Sequence, residues 1–149
     1  MVPMAQVTAT AERTIEAPAE AVTAALADYT TTRPRILTEH YSDYRVEPDG
    51  RVHWRLQATK SRVRDQLLDV STDPGAPGGG TVVERDANSS MVTTWAVAAA
   101  GEGRSRVTVT TTWNGAGGIG GFFERTFAPR GLARIHSGVL ENLEGVVRG

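Results

Sequence analysis

The chain has no cysteine among its 149 residues, which removes disulfides, thiolate metal sites and cysteine nucleophiles in one step. Lysine is nearly absent as well: Lys60 stands alone among 16 basic side chains, the rest being arginine, against 17 acidic ones. The resulting net charge of −1 offers no general attraction for a phosphate backbone or an anionic lipid surface, so nucleic acid is not an expected partner. No apolar run approaches the roughly 18 residues of a membrane span. The first residues, 1–6, carry neither the basic nor the apolar stretch that opens a secretory signal. No membrane span and a cytoplasmic location are therefore expected. Common catalytic signatures are missing too: there is no G-x-S-x-G elbow, no G-x-x-x-x-G-K-[ST] phosphate loop and no H-E-x-x-H zinc helix.

What remains is an ordinary globular composition, 40% hydrophobic and 22% charged. Without a long polar linker or a change of composition, 149 residues predict a single domain over 1–149, large enough to enclose a cavity.

Apolar and polar residues alternate from 6 to 16, with Val7, Ala9, Ala11 and Ile15 on one face, the pattern of a half-buried strand. Arg13 interrupts that row, which requires a bulge or a guanidinium that reaches the strand end. Pro18 opens a short helix carrying Val22 and Leu26, and Thr30–Thr32 can cap a second short turn with Ile36 and Leu37. Alternation returns over 40–47 and 51–59 around the Pro48-Asp49-Gly50 turn, with an inward row of His40, Ser42, Tyr44 and Val46, then Val52, Trp54, Leu56 and Ala58. A third strand spans 62–72. The Gly- and Pro-rich stretch 73–80 reads as a loop. Strands over 81–86, 91–99 and 106–113 follow, with Met91, Thr93, Trp95 and Val97, then Val107, Val109, Thr111 and Trp113 inward. After the Gly-rich segment 115–121, read as a hinge or lid, Leu132, Ile135, Val139, Leu143 and Val146 share one face of a long helix. Pro129 to Gly131 should kink that helix or separate off a first segment carrying Phe122, Phe123 and Phe127.

Strand, two short helices, about six antiparallel strands and one long helix resembles the succession of the START-like (SRPBCC, helix-grip) superfamily. The likeness covers nearly the whole chain. It rests on Arg13-Thr14-Ile15-Glu16-Ala17-Pro18 with Glu20-Ala21-Val22 and Leu26-Ala27-Asp28. It rests also on Arg33-Pro34-Arg35-Ile36-Leu37, Tyr41-Ser42-Asp43-Tyr44-Arg45-Val46 and Glu84-Arg85-Asp86-Ala87-Asn88-Ser89, which resemble a bacterial polyketide cyclase/dehydrase-like or lipid-transport-like subgroup. The resemblance implies an α+β fold: a curved antiparallel sheet of about seven strands, two short helices after strand 1, and a long C-terminal helix across the sheet. It leaves the reaction open, since one fold hosts many functions.

Three readings follow. In the first, the chain binds a small hydrophobic molecule of lipid, polyketide or isoprenoid class between sheet and helix, with no cofactor. In the second, it is a cyclase/dehydratase-type enzyme in which His136, His40, Tyr44, Arg64 or Glu84 moves protons. In the third, it is a protein-interaction module of a stress or toxin–antitoxin system with a filled core. A monomer or homodimer suits all three. The candidate pocket comprises Trp54, Trp95 and Trp113 on inner rows, where large rings line a cavity or fill core, with Tyr44 on the inward row of its strand and His40 at the pocket mouth. It includes Arg64, Gln66 and Glu84 as a polar floor, Ile135, His136 and Val139 on the helix, and Phe123 and Phe127 near the entrance. Were Arg64 and Gln66 to face inward, they would need a ligand or a carboxylate such as Glu84 as partner. His53 falls on an outer row and reads as a solvated imidazole. The three histidines are far apart and form no i, i+4 pair, so no metal site is expected. Arg125, Arg130 and Arg134 read as a solvated basic face.

Overall fold

The computed structural model describes residues 6–59, 62–73, 79–114 and 129–148. Seven strands, β1 (Gln6–Ile15), β2 (Tyr41–Val46), β3 (Val52–Thr59), β4 (Arg62–Asp73), β5 (Gly79–Asp86), β6 (Val92–Ala99) and β7 (Ser105–Asn114), form one antiparallel sheet in the order β1-β7-β6-β5-β4-β3-β2. From β2 onward each strand pairs with the next one in sequence, and β1 pairs with the last. Helices α1 (Ala19–Ala27) and α2 (Thr32–Ile36) carry the chain from one sheet edge to the other. The long helix α3 (Pro129–Arg148) packs along β1 and against α2. This is the α+β helix-grip arrangement that the family resemblance implied.

Period-two alternation is realised most regularly in β7, whose odd residues Ser105, Val107, Val109, Thr111 and Trp113 are all buried. Leu132, Ile135, Val139 and Leu143 of α3 face them from the other side, joined by His136 and Leu140. Pro129 is the first residue of α3, where a missing N–H breaks no hydrogen bond. The helix therefore runs from Pro129 without a break at Gly131. Full burial of residues such as Ile15, Leu26, Leu140 and Leu143 contributes about 1.5–3 kcal/mol each.

Four local expectations are resolved by contacts that sequence patterns do not carry. β1 does not bulge at Arg13, which stays in register opposite Val107. Its guanidinium instead reaches Glu144 of α3, with Nε and Nη2 donating to Oε1 at 3.0 and 2.7 Å. The turn before α2 is capped not by threonine but by Asp28, whose carboxylate accepts from the backbone N–H of Thr30, Thr31 and Thr32 and from the Thr32 hydroxyl. Gly79 and Gly80 belong to β5 rather than to a loop. A Cβ on Gly80 would lie 2.6 Å from Thr23 Cγ2 of α1, and one on Gly79 would lie 2.8 Å from the Val97 carbonyl oxygen. Glycine there lets α1 and β6 approach β5 closely.

The fourth is the inward row of β2. Its pairing with β3 slips between Ser42 and Arg45, and Asp43 takes a left-handed φ of 55°. The bulge replaces the two-residue spacing with a three-residue one. Tyr41 and Tyr44 both turn toward Trp54, with ring centroids 5.2 and 6.2 Å away. Ser42 and Val46, expected inward, are exposed. The same bulge alters the reading of His53. It is 8% exposed although it lies on the outer row, because its Nδ1 is 2.9 Å from the Asp43 carbonyl oxygen and its Nε2 3.3 Å from Asp65.

Candidate functional site

Between the sheet and α3 lies a small enclosure of about 20 Å³. Its apolar wall is built by Trp54 and Leu56 of β3, Leu68 of β4, Met91, Trp95 of β6, and Leu132 and Val139 of α3. Leu37 and Tyr41 enclose it from the segment between α2 and β2 and from the start of β2. Three polar groups of side chains interrupt this wall.

The first is charged. The short turn capped by Asp28 directs Arg33 into the interior, where its side chain has no exposure, and Glu84 of β5 meets it with 2%. Arg33 Nη2 and Glu84 Oε2 are 2.8 Å apart. Arg33 Nη1 donates to the Leu26 carbonyl and to the Tyr29 hydroxyl, which in turn donates to Glu84 Oε2 at 2.5 Å. Trp95 Nε1 donates to the other carboxylate oxygen at 2.8 Å. The guanidinium also lies over both rings, 4.5 Å from the Tyr29 centroid and 4.9 Å from that of Trp95. Burial opposes charge on Arg33, but Glu84 and Tyr29 outweigh it and hold the pKa above its ordinary value. Burial, reinforced by Glu84, raises Tyr29 and Tyr41 far above 10. It also pushes half-buried Tyr44 up to about 12. All three phenols stay protonated at neutral pH.

The second polar group joins Trp54 Nε1 to Gln66 Oε1 at 2.7 Å and the Gln66 amide to Met91 sulfur at 3.0 Å. The third is a chain of three: Thr93 and Thr111 hydroxyls 2.7 Å apart across β6 and β7, and Thr111 in turn 2.7 Å from His136 Nε2 on α3. Nδ1 of His136 is buried and has no hydrogen-bond partner among the described residues. Burial lowers this imidazole from 6.5 to about 4, so it is neutral at physiological pH.

Of the residues singled out from sequence, Trp54, Gln66, Glu84, Trp95, His136 and Val139 come together on the wall. Tyr44 stands behind it, stacked on Trp54 with its hydroxyl donating to the Tyr29 carbonyl at 2.6 Å. Trp113 and Ile135 are buried in the core but are not part of the wall. His40 precedes β2, half-buried, with Nδ1 2.9 Å from the Thr38 hydroxyl, and does not reach the cavity. Arg64 follows the inward parity of Gln66 and Leu68 but sits nearer the sheet margin, half-buried, so that the polar floor is Gln66 and Glu84 without it. Ala99, at the end of β6, is exposed. Phe123, Phe127 and Arg125 lie outside the described residues, as does the glycine segment. Arg130 and Arg134 are exposed on α3. Among the described residues, no three His, Asp or Glu side chains gather closely enough to hold a metal ion, and no helix is long and apolar enough to cross a membrane.

Sequence reasoning missed Arg33, Tyr29, Tyr41 and the Thr93–Thr111 pair as site residues. A clue existed for one of them: Arg33 lies four residues after Tyr29 in a segment whose Ile36 and Leu37 point to the core by sequence alone.

A model of the polyketide cyclase / dehydrase and lipid transport family matches residues 5–148. Among solved structures, the solution structure of the KanY protein is 52% identical, with 98% of this chain and 100% of that one covered and a TM-score of 0.83. TTHA0849 from Thermus thermophilus is 21% identical over 95% of this chain and 97% of its own, with a TM-score of 0.71. The ZhuI aromatase/cyclase from a Streptomyces species is 14% identical over 97% and 94%, with a TM-score of 0.73. These last two are likenesses of fold. No curated protein matches the chain. With a family match over nearly its full length on a helix-grip fold, the chain belongs to the polyketide cyclase/dehydrase and lipid transport family.

Proposed function

We propose that the chain binds one small, largely apolar molecule, of polyketide, isoprenoid or lipid class, in the enclosure between the sheet and α3. The observation that carries this reading is the enclosure itself: an apolar wall broken by a few fixed polar groups, the usual make-up of a small-molecule site. Core polar groups are as a rule paired, whereas Arg33 Nε and His136 Nδ1 are buried here without a partner among the described residues. At about 20 Å³, the enclosure has room for roughly one or two water positions. A larger guest therefore enters by displacing Leu37, Tyr41 or Leu132. These sit on three separate elements at the enclosure's side, where movement leaves the ladder of β3 to β7 intact.

Native mass spectrometry of the purified protein, followed by titration of Trp fluorescence with aromatic and isoprenoid compounds, tests the reading. Trp54 and Trp95 on the wall make emission sensitive to occupancy. Saturable quenching at one molecule per chain, lost in Leu132→Trp, is the expected result. No retained compound and no saturable response across the panel would overturn it.

A catalytic reading of the cyclase/dehydratase kind draws on one feature, the unpaired Nδ1 of neutral His136. With a pKa near 4, this imidazole is a weak base at neutral pH, and its natural contribution is a directed hydrogen bond rather than proton abstraction. Turnover of an identified substrate that survives His136→Gln would exclude a proton-transfer role.

A further inference from the structure

The chain Thr93–Thr111–His136 determines which protons point where, and thereby what the cavity can recognise. Each threonine hydroxyl has one proton to give. Thr93 Oγ1 has no hydrogen-bond partner other than Thr111 among the described residues, and Thr111 Oγ1 has only Thr93 and His136 Nε2. If Nε2 carried the imidazole proton and gave it to Thr111, one threonine proton would be left without an acceptor, and Nδ1 would be left without a donor. Two buried groups would then be unmatched. In the opposite sense, Thr93 donates to Thr111 and Thr111 donates to Nε2, so both hydroxyl protons are placed. A single unmatched group is left, the N–H at Nδ1. Unmade buried hydrogen bonds are costly, so the arrangement with one is favoured over that with two.

We infer that the Thr93–Thr111–His136 relay holds His136 in its Nδ1–H tautomer and makes it the specificity-determining donor for a neutral acceptor, a carbonyl oxygen, on the bound molecule. Arg33 adds to the same polarity: its Nε is also buried without a partner, and the residue lines the same enclosure. The charge of Arg33 is already met by Glu84 at 2.8 Å. A carboxylate on the guest would therefore be a second buried anion beside Glu84 without a cation of its own. A hydroxyl guest can accept, but its own proton would then face a wall whose unmatched groups are donors. A hydrocarbon would leave both N–H groups unmet. The fit is an apolar body bearing a ketone, quinone or ester carbonyl. This inference rests on the cavity being a binding site, and its test separates the two.

The tautomer is read without any ligand, from long-range proton–nitrogen spectra of histidine-labelled protein, with His136→Gln to assign the signals. Nδ1–H in the native chain, lost or mixed in the near-isosteric Thr111→Val, is the expected outcome; Nε2–H in the native chain overturns the inference. The probes are 1-tetralone, 1-tetralol, tetralin and tetralin-1-carboxylate, which share one ring system. The ketone should bind about tenfold or more tightly than each of the others, the difference expected for one well-placed buried hydrogen bond. Thr111→Val should reduce that preference several-fold, provided its circular dichroism matches that of the native chain. Should Thr111→Val not fold, Thr93→Val tests the same relay one step further out. Equal affinities would refute the carbonyl selection while leaving the binding site in place. Binding of none of the four would count against the site itself.

Discussion

Replacing Glu84 by Gln isolates the role of charge in the interior. The side chain keeps its shape and one acceptor oxygen, but the Arg33 guanidinium, fully buried, loses its counter-charge. One of the two carboxylate sites also becomes an NH₂ facing a donor, either Trp95 Nε1 or the Tyr29 hydroxyl with Arg33. Removing one partner of a buried ion pair costs about 3–5 kcal/mol. The two aromatic faces over Arg33 stay in place in the variant and leave the cation not wholly uncompensated, which favours the lower end of that range. A net loss of about 3 kcal/mol follows, on the order of 10 °C in melting temperature for a chain of this size. Urea denaturation followed by far-ultraviolet circular dichroism is the suitable assay, because Trp95 lies inside the network and its fluorescence changes with the mutation itself. Arg33→Met and the double variant complete a cycle. Without the lone charge, the double variant should cost less than the sum of the singles. A loss below about 1 kcal/mol for Glu84→Gln, or strict additivity with Arg33→Met, would refute the claim that an ion pair anchors α2 to β5.

His136 makes acid stability a second readout. Its pKa of about 4 in the fold lies below the 6.5 of an exposed imidazole, so between those values the unfolded chain holds the extra proton. Stability therefore falls as pH drops through that window, by up to about 3 kcal/mol. His136→Gln lacks this share; a native-minus-variant difference that stays constant from pH 7 to 4, measured in urea, would contradict it. Gly80→Ala should destabilise by about 1–3 kcal/mol through overpacking, since its Cβ would meet Thr23 Cγ2 at 2.6 Å. Thr23→Ala in the same chain should recover much of that loss, and thermal melts of the three variants decide it. Glu144→Gln removes the charge from the tie between β1 and α3. Arg13 is partly exposed, so the loss should be small and should disappear at high salt.

The parity of β3 and β6 was legible from sequence alone. Once one face of an antiparallel strand is buried, a two-residue period leaves a single choice, and so Trp54 and Trp95 could be placed inward before any contact was known. On β4 the adjacent Leu67 and Leu68 left two registers open, and only the fold buries Gln66 beside Glu84. The stripe on α3 was equally legible, because Leu132, Ile135, Val139 and Leu143 repeat at helical spacing. β2 was not, because a bulge at Ser42 to Arg45 leaves no mark in an alternation pattern that already mixes serine, aspartate and tyrosine.

The sequence by itself therefore determined the order of elements and which faces are apolar, since both are properties of neighbours along the chain. The make-up of the cavity was decided only in three dimensions. Tyr29 meets Glu84 across 55 residues and Thr111 meets His136 across 25, and the worth of each polar side chain depends on the partner that burial brings to it. Arg33 shows the difference most sharply. In the sequence it is one arginine in a polar turn, and in the fold it is a fully buried cation whose partners, Tyr29, Glu84 and Trp95, come from three different segments.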